Sequence, residues 1–213
     1  MKISYCVTVH NEHEELDRLL RQLIGSIDDN DEIVIQGDQG RVTDEVTTVI
    51  KNYLFNDDRI KYIEYPLRIN GKPNFSVFKN NLFKNCTGDY IFNIDADEVV
   101  SEDLILELKT ILMVNPSIEV FFVPRVNIVD GLNNEYAKKF GFERNTAGWI
   151  NWPDWQMRIC KRSDKIYWKN PVHEVLTGYT EYATLPELEK YALIHIKSLD
   201  RQIQQNELYD TIC

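Results

Sequence analysis

Cysteine is scarce in this chain of 213 residues: Cys6, Cys86, Cys160 and Cys213 lie far apart, with no CxxC pair. That spacing provides neither a disulfide framework nor a zinc site and reads as reduced thiols. Basic residues are also short, 24 Lys and Arg against 34 Asp and Glu, for a formal net charge of -10. Such a surface repels polyanions, so a nucleic-acid partner would need a local basic patch, and no strong signal for one is present. No apolar run is long enough to span a membrane. The one near the N-terminus is short and met at once by polar residues, which reads against a secretory signal. Repeats and low-complexity segments are lacking. A cytoplasmic location is therefore expected, with peripheral contact to a membrane left open. Hydrophobic residues at 43% supply ample core for one domain.

The first half alternates regularly. Ile3 to Val9 is an apolar, β-prone run, followed by Leu16, Leu19, Leu20 and Leu23 at helical spacing, with Asn11 as N-cap and Gly25 as stop. A second strand, Glu32 to Gln36, leads into the turn Gly37-Asp38-Gln39-Gly40 and a helix bearing Val46, Val49, Ile50 and Tyr53. Strand three is Ile60 to Tyr65, helix three presents Phe75, Phe78, Leu82 and Phe83, and strand four is Tyr90 to Ile94. Helix four carries Leu104, Leu108, Ile111 and Leu112 and stops before Pro116. This alternation predicts an α/β fold with a central, mostly parallel mixed sheet flanked by helices. Ligands of such sheets bind beyond the carboxyl ends of the strands. Three polar clusters fall there: Thr8 to Glu12, Gly37 to Gly40, and Asp95 to Glu98.

The last cluster organises the chain. Residues two apart on an extended chain share a face, so Asp95 and Asp97 face one pocket across the small Ala96, and Glu98 points away. Two converging carboxylates suit Mg²⁺ or Mn²⁺. The plainer reading, acids decorating a helix start, accounts for Glu102 and Asp103 after a Ser101 N-cap but not for Asp95 and Asp97.

The second half reads differently. Glu119 to Val129 is a long β-segment interrupted by Pro124, residues 130–151 are loop-like, and Trp155 to Cys160 with Lys165 to Trp168 form a hairpin around Arg162-Ser163-Asp164. Tyr191 to Ile196 is a short strand, and Leu199 to Ile212 an amphipathic helix with Leu199, Ile203 and Ile212 on one side. The expected layout is one domain: a ligand-binding half over 1–116, a capping half over 117–198 that extends the same sheet, and a terminal helix over 199–213. That helix either closes the domain or pairs with a second copy, a possible homodimer.

Motifs in both halves match a known family. The chain resembles family 2 glycosyltransferases of the GT-A fold through Val7-Thr8-Val9-His10-Asn11-Glu12, the Asp38 turn, Lys79-Asn80, the Asp95-Ala96-Asp97 "DxD", Asp154-Trp155-Gln156-Met157-Arg158 and Val172-His173-Glu174. The resemblance implies a nucleotide-diphospho-sugar donor (a UDP-sugar by family default), a divalent metal, and transfer with inversion to a hydroxyl of a glycan, lipid-linked sugar, protein or modified base. Thr8, His10 and Glu12 would line the base and ribose site, with Asp38 near the base, Lys79 approaching the nucleotide, Asp95 (beside Ala96) facing the ribose and Asp97 on the metal. One departure stands out: Gly37-Asp38-Gln39-Gly40 is followed by Arg41 and Val42 before Thr43-Asp44, where the family often has Gly-Ser-x-Asp.

Inversion needs a carboxylate to take the acceptor's proton, and two residues suit it. Asp154 lies between Trp152 and Trp155, with a turn acid as the plainer reading, and Glu174 follows His173; Asp154 is preferred. His173 and His195 could each complete a metal shell, although His195 in an apolar run also reads as a core histidine. Arg158 meets either a phosphate or Asp154. Trp152 and Trp155 offer an acceptor surface, because sugar rings stack on such faces. A nucleotidyltransferase is the weaker enzyme reading, since the turn after strand one is acidic where a glycine-rich basic loop is usual. A non-catalytic nucleotide- or sugar-binding module of the same fold is the other alternative.

Overall fold

A computed structural model describes residues 1–212, apart from the side chains of residues 205 and 207–212. The expectations for the Ile212 side chain and for Cys213 lie outside these. In chain order the elements are β1 (Ile3–Val9), α1 (His13–Ser26), β2 (Glu32–Asp38), α2 (Asp44–Asn56), β3 (Ile60–Tyr65), β4 (Arg68–Ile69) and β5 (Lys72–Pro73). Then come α3 (Phe75–Lys84), β6 (Tyr90–Asp95), β7 (Glu98–Val100), α4 (Glu102–Val114), β8 (Val120–Val123) and β9 (Arg125–Asp130). The chain continues with α5 (Asn134–Phe140), β10 (Gln156–Lys161), β11 (Tyr167–Lys169), β12 (Val175–Thr177), β13 (Tyr182–Thr184), a 3-10 turn at Glu189–Tyr191, β14 (Leu193–Ser198) and α6 (Leu199–Ile212).

The main sheet runs β13-β8-β10-β6-β1-β2-β3. Strands β6, β1, β2 and β3 are mutually parallel, and β10 lies antiparallel to β6. All seven residues of β2 are buried, as expected of a central parallel strand covered by helices on both faces. At the edge, β3 is only partly buried. Helix α1 seals one face with Leu16, Leu19, Leu20 and Leu23, and α3 seals the other with Phe78, Leu82 and Phe83. Register levels the strand ends: Thr8 pairs with Asp95 on one side and Gln36 on the other. The three polar clusters thus share one rim.

Pro124 does more than interrupt a strand. Lacking an N–H, it cannot continue the ladder, and the chain leaves the main sheet after Val123 to begin a second sheet at Arg125, in the order β7-β14-β9. Strands β8, β10 and β13 do extend the main sheet as a cap would. Register in the second sheet sets Glu98 beside His195 and His195 beside Asn127.

Four local expectations are corrected. Helix α1 begins at His13, not after an Asn11 cap, because the Glu12 carboxylate accepts the amides of both His10 and Asn11. It runs through Gly25 to Ser26, since the Ile27 N–H still donates to Leu23 O. The hairpin around Arg162-Ser163-Asp164 does not form: β10 pairs with β6 and β8, and β11 pairs with β12. Within residues 130–151, Asn133 caps α5 by accepting from the Tyr136 N–H, and Gly141 closes it at φ 65.

Candidate active site

A cleft of about 700 Å³ opens beyond the carboxyl ends of β1, β2 and β6. Of the residues singled out from the sequence, Thr8, His10, Glu12, Asp38, Lys79, Asp95, Ala96, Asp97, Asp154, Trp155, Arg158, His173, Glu174 and His195 line it. Trp152 does not; it is half-buried against Trp149, ring centroids 4.9 Å apart.

Asp95 ends β6 and is held from below. Its Oδ2 accepts from Arg158 Nη2 at 2.6 Å, its Oδ1 from Thr8 Oγ1 at 3.4 Å, and Lys79 Nζ stands 3.9 Å away. Burial pushes this carboxyl up, but the Arg158 and Lys79 charges outweigh it and hold Asp95 well below the usual carboxylate range. Arg158 is 4% exposed and also donates to Glu98 Oε1 at 2.6 Å. Expected to meet a phosphate or Asp154, Arg158 instead binds Asp95 and Glu98, because β10 runs beside β6 and delivers the guanidinium beneath it. Lys79, from α3, donates to Glu174 Oε1 at 2.5 Å and rests over the Trp168 ring. Asp38 is buried and accepts the Leu67 N–H at 2.9 Å, fixing the turn after β2.

On the other side, a carboxylate determines a tautomer. Asp154 Oδ2 can only accept, so Asn127 presents Nδ2 to it at 2.5 Å. The Asn127 Oδ1 then accepts from His195 Nδ1–H at 3.0 Å. A neutral His195 is left with an Nε2 lone pair facing Asp97 Oδ2 at 3.2 Å. Two acceptors meet there, a contact that a proton on Nε2 or a shared cation must satisfy. Burial raises the Asp97 pKa, and the His195 hydrogen bond and charge, with Arg201, bring it below its ordinary value. His195 is 8% exposed, so it is a buried histidine with both nitrogens engaged that also belongs to the site. His173 lines the Glu174 end with its backbone at φ 52. Among the described residues no group of three or more His, Cys, Asp or Glu is set to hold a metal.

Sequence reading passed over Arg125, Asn127, Lys197, Arg201, Gln202 and Asn206. Arg125 grips Asp154 Oδ2 through Nε at 2.8 Å and Nη2 at 2.7 Å. Arg201 binds Glu12 at 2.9 Å and Glu15 at 3.0 Å and lies 3.6 Å from Asp97, tying α6 across the mouth of the first loop. Lys197, Gln202 and Asn206 line the cleft. Burial lowers the Lys197 pKa to about 8. The usable signal was spacing: Arg125 and Asn127, like His195 and Lys197, are two apart on strands, and Gln202 and Asn206 are four apart on a helix.

The helix-flanked mixed sheet with acids at one strand-end rim is shared with GT-A glycosyltransferases. The model of Glycosyl transferase family 2 matches residues 4–176, and the chain belongs to that family. S. aureus TarS 1-349 superposes with a TM-score of 0.63 at 14% identity, over 92% of this chain and 60% of that one. The same protein in complex with UDP-GlcNAc gives 0.57 at 15% identity, over 90% and 60%. The mannosyltransferase PcManGT from Pyrobaculum calidifontis, in complex with GDP-Man and Mn²⁺, gives 0.50 at 14% identity, over 91% and 56%. The present chain thus spans 60% or less of the length of these three solved chains. None of the curated proteins matches it.

Proposed function

We propose that this chain is an inverting glycosyltransferase that moves a sugar from a nucleoside-diphosphate donor to a hydroxyl acceptor. One observation carries the reading: Asp95, Asp97 with His195, and Asp154 meet in a single cleft at the strand ends. Membership of the family and the nucleotide sugars bound by the similar folds support it.

Thr8 at the end of β1, His10 and Glu12 on the loop that follows, and Asp38 form the nucleoside end, and Asp95 takes the ribose with its orientation fixed by Arg158. Asp97 and His195 would hold a divalent ion: a hard oxygen beside an imidazole nitrogen suits Mn²⁺ and is compatible with Mg²⁺. Such an ion would supply Lewis-acid stabilisation of the departing diphosphate. Asp154 takes the proton of the attacking hydroxyl. Its Oδ2 is saturated by Arg125 and Asn127, whereas Oδ1 receives Gln156 Nε2 at 3.0 Å and has lone-pair capacity for a further donor. Glu174 is already engaged by Lys79 and suits a role in holding that lysine. The acceptor lies at the Trp155, Phe142 and Ile150 end, an aromatic and apolar surface on which a sugar ring can stack.

Thermal stability against UDP, GDP and other nucleoside diphosphates, each with and without Mn²⁺, tests this. A ligand at a hundred times its Kd adds about 2.7 kcal/mol, or roughly 5–10 °C for a chain of this size. A Mn²⁺-dependent shift supports the reading and identifies the donor base. No shift with any nucleotide refutes it.

A further inference from the structure

Glu98, the third acid of the cluster that begins at the end of β6, has no part in the reaction above, yet it is 1% exposed. Its Oε1 accepts from Arg158 Nη2 at 2.6 Å and from Arg125 Nη1 at 3.2 Å, and its Oε2 accepts the Asp95 N–H at 3.1 Å. Burying an acid between two arginines is a poor way to stabilise a core, where apolar residues of similar volume do as well or better. What the arrangement achieves is geometric. The far edge of Arg125 grips Asp154 through Nε and Nη2. Asp154 itself sits at φ 36, a left-handed backbone where no strand pleat directs its side chain. Its direction is set by the groups that hold it, and Arg125 is in turn held by Glu98.

We propose that Glu98 and Arg125 are positioning residues for Asp154. The same Glu98 oxygen fixes Arg158 and through it Asp95, so the donor-side acid and the proton-accepting acid share one buried anchor. This rests on the reading of Asp154 as the acceptor-activating carboxylate.

The test is a double-mutant cycle on release of nucleoside diphosphate from the sugar nucleotide the wild-type chain turns over fastest, using Glu98→Gln, Asp154→Asn and the pair. Nucleoside-diphosphate Kd is measured alongside by calorimetry. Glu98→Gln should lower kcat by between about tenfold and a hundredfold, the scale of a misplaced reacting group, with Kd changed less than about threefold because Asp95 keeps Arg158 and Lys79. Residues acting as one unit are non-additive, so the double variant should be no slower than Asp154→Asn alone. Multiplying losses, or wild-type kcat in Glu98→Gln, overturns the proposal. Should Glu98→Gln not fold, Arg125→Lys enters the same cycle, keeping the charge but losing the two-pronged grip. Failure of the underlying reading looks different: Asp154→Asn then turns over like wild type.

Discussion

Replacing Arg158 by Met should destabilise the protein strongly at neutral pH and far less in acid. The guanidinium is 4% exposed and holds Asp95 and Glu98, each at 2.6 Å. Removing one partner of a buried ion pair costs about 3–5 kcal/mol. Here Glu98 keeps Arg125, and the Asp95 side chain is 32% exposed and keeps Lys79, which sets the loss at the lower end. About 3 kcal/mol corresponds to a fall in Tm of roughly 6–12 °C. The sign with pH follows from Asp95, whose pKa Arg158 depresses. A depressed carboxyl contributes stability above its unfolded value of ~3.9 and loses it as pH falls through the folded value. In the variant the unpartnered acids are relieved by protonation, so the gap narrows from that same region downwards. Urea unfolding of both proteins at pH 7 and pH 3 reads the two gaps. A gap below about 1 kcal/mol at pH 7, the scale of a surface pair, or one unchanged at about pH 3, would refute the argument.

Asp97→Ala should abolish the Mn²⁺-dependent part of nucleotide binding and leave the fold intact; calorimetry with and without Mn²⁺ decides, and unchanged Mn²⁺ dependence removes Asp97 from the metal. Asp154→Asn should leave nucleoside-diphosphate affinity in place and cut turnover by roughly a hundredfold or more, within the range of general-base catalysis. If Glu174→Gln does this instead, the proton passes to Glu174. Away from the cleft, Glu32 is 2% exposed and accepts from Lys61, Ser4, Thr87 and Lys2, bonds that outweigh burial and lower its pKa. Glu32→Gln should cost about 2 kcal/mol at pH 7, the worth of charge-assisted bonds. That loss should shrink below pH ~4.3, where the wild-type carboxyl also protonates; a pH-independent loss in chemical unfolding counts against it.

The parallel half of the fold was legible because its signals are local. Ile3 to Val9 and Ile60 to Tyr65 were read to the residue, and the rim followed from where the strands end. The acids also declared themselves by their spacing, although Asp95 ends β6 and Asp97 sits in the turn before β7 rather than on one extended stretch. Their partners did not. Arg158 lies 63 residues from Asp95 in sequence, and Arg125 lies 27 from Glu98. Only the antiparallel placement of β10 and the sheet change at Pro124 bring them together. Of the two tryptophans that an aromatic setting singled out, Trp155 lines the cleft and Trp152 packs on Trp149, a difference that composition cannot reveal. His195 was framed as either core or ligand, whereas a residue on a sheet that backs the site can be buried and chemically engaged together.

Charge inside the cleft makes a demand that whole-chain composition conceals. Among the described residues, six carboxylates line it (Glu12, Asp38, Asp95, Asp97, Asp154 and Glu174) against four cationic side chains, Lys79, Arg125, Arg158 and Lys197. Lys79 is engaged by Glu174, Arg125 by Asp154 and Glu98, and Arg158 by Asp95 and Glu98. Asp95 and Asp97 titrate below their ordinary range and are ionised at neutral pH. A diphosphate entering this cleft therefore meets negative charge already in excess, on a protein of formal net charge -10. At a separation of 4 Å two unit charges near a protein surface repel by about 4 kcal/mol, so a bare nucleotide should bind poorly. A divalent ion held by Asp97 would offset that repulsion. The expected result is that nucleoside diphosphates bind at least tenfold more tightly with Mn²⁺ than with a chelator, and that uridine or guanosine, lacking phosphate, gains nothing from the metal. Equal affinity for the diphosphate in both conditions would mean that Lys197 and Arg201 neutralise it alone, and the metal would lose its electrostatic reason to be there.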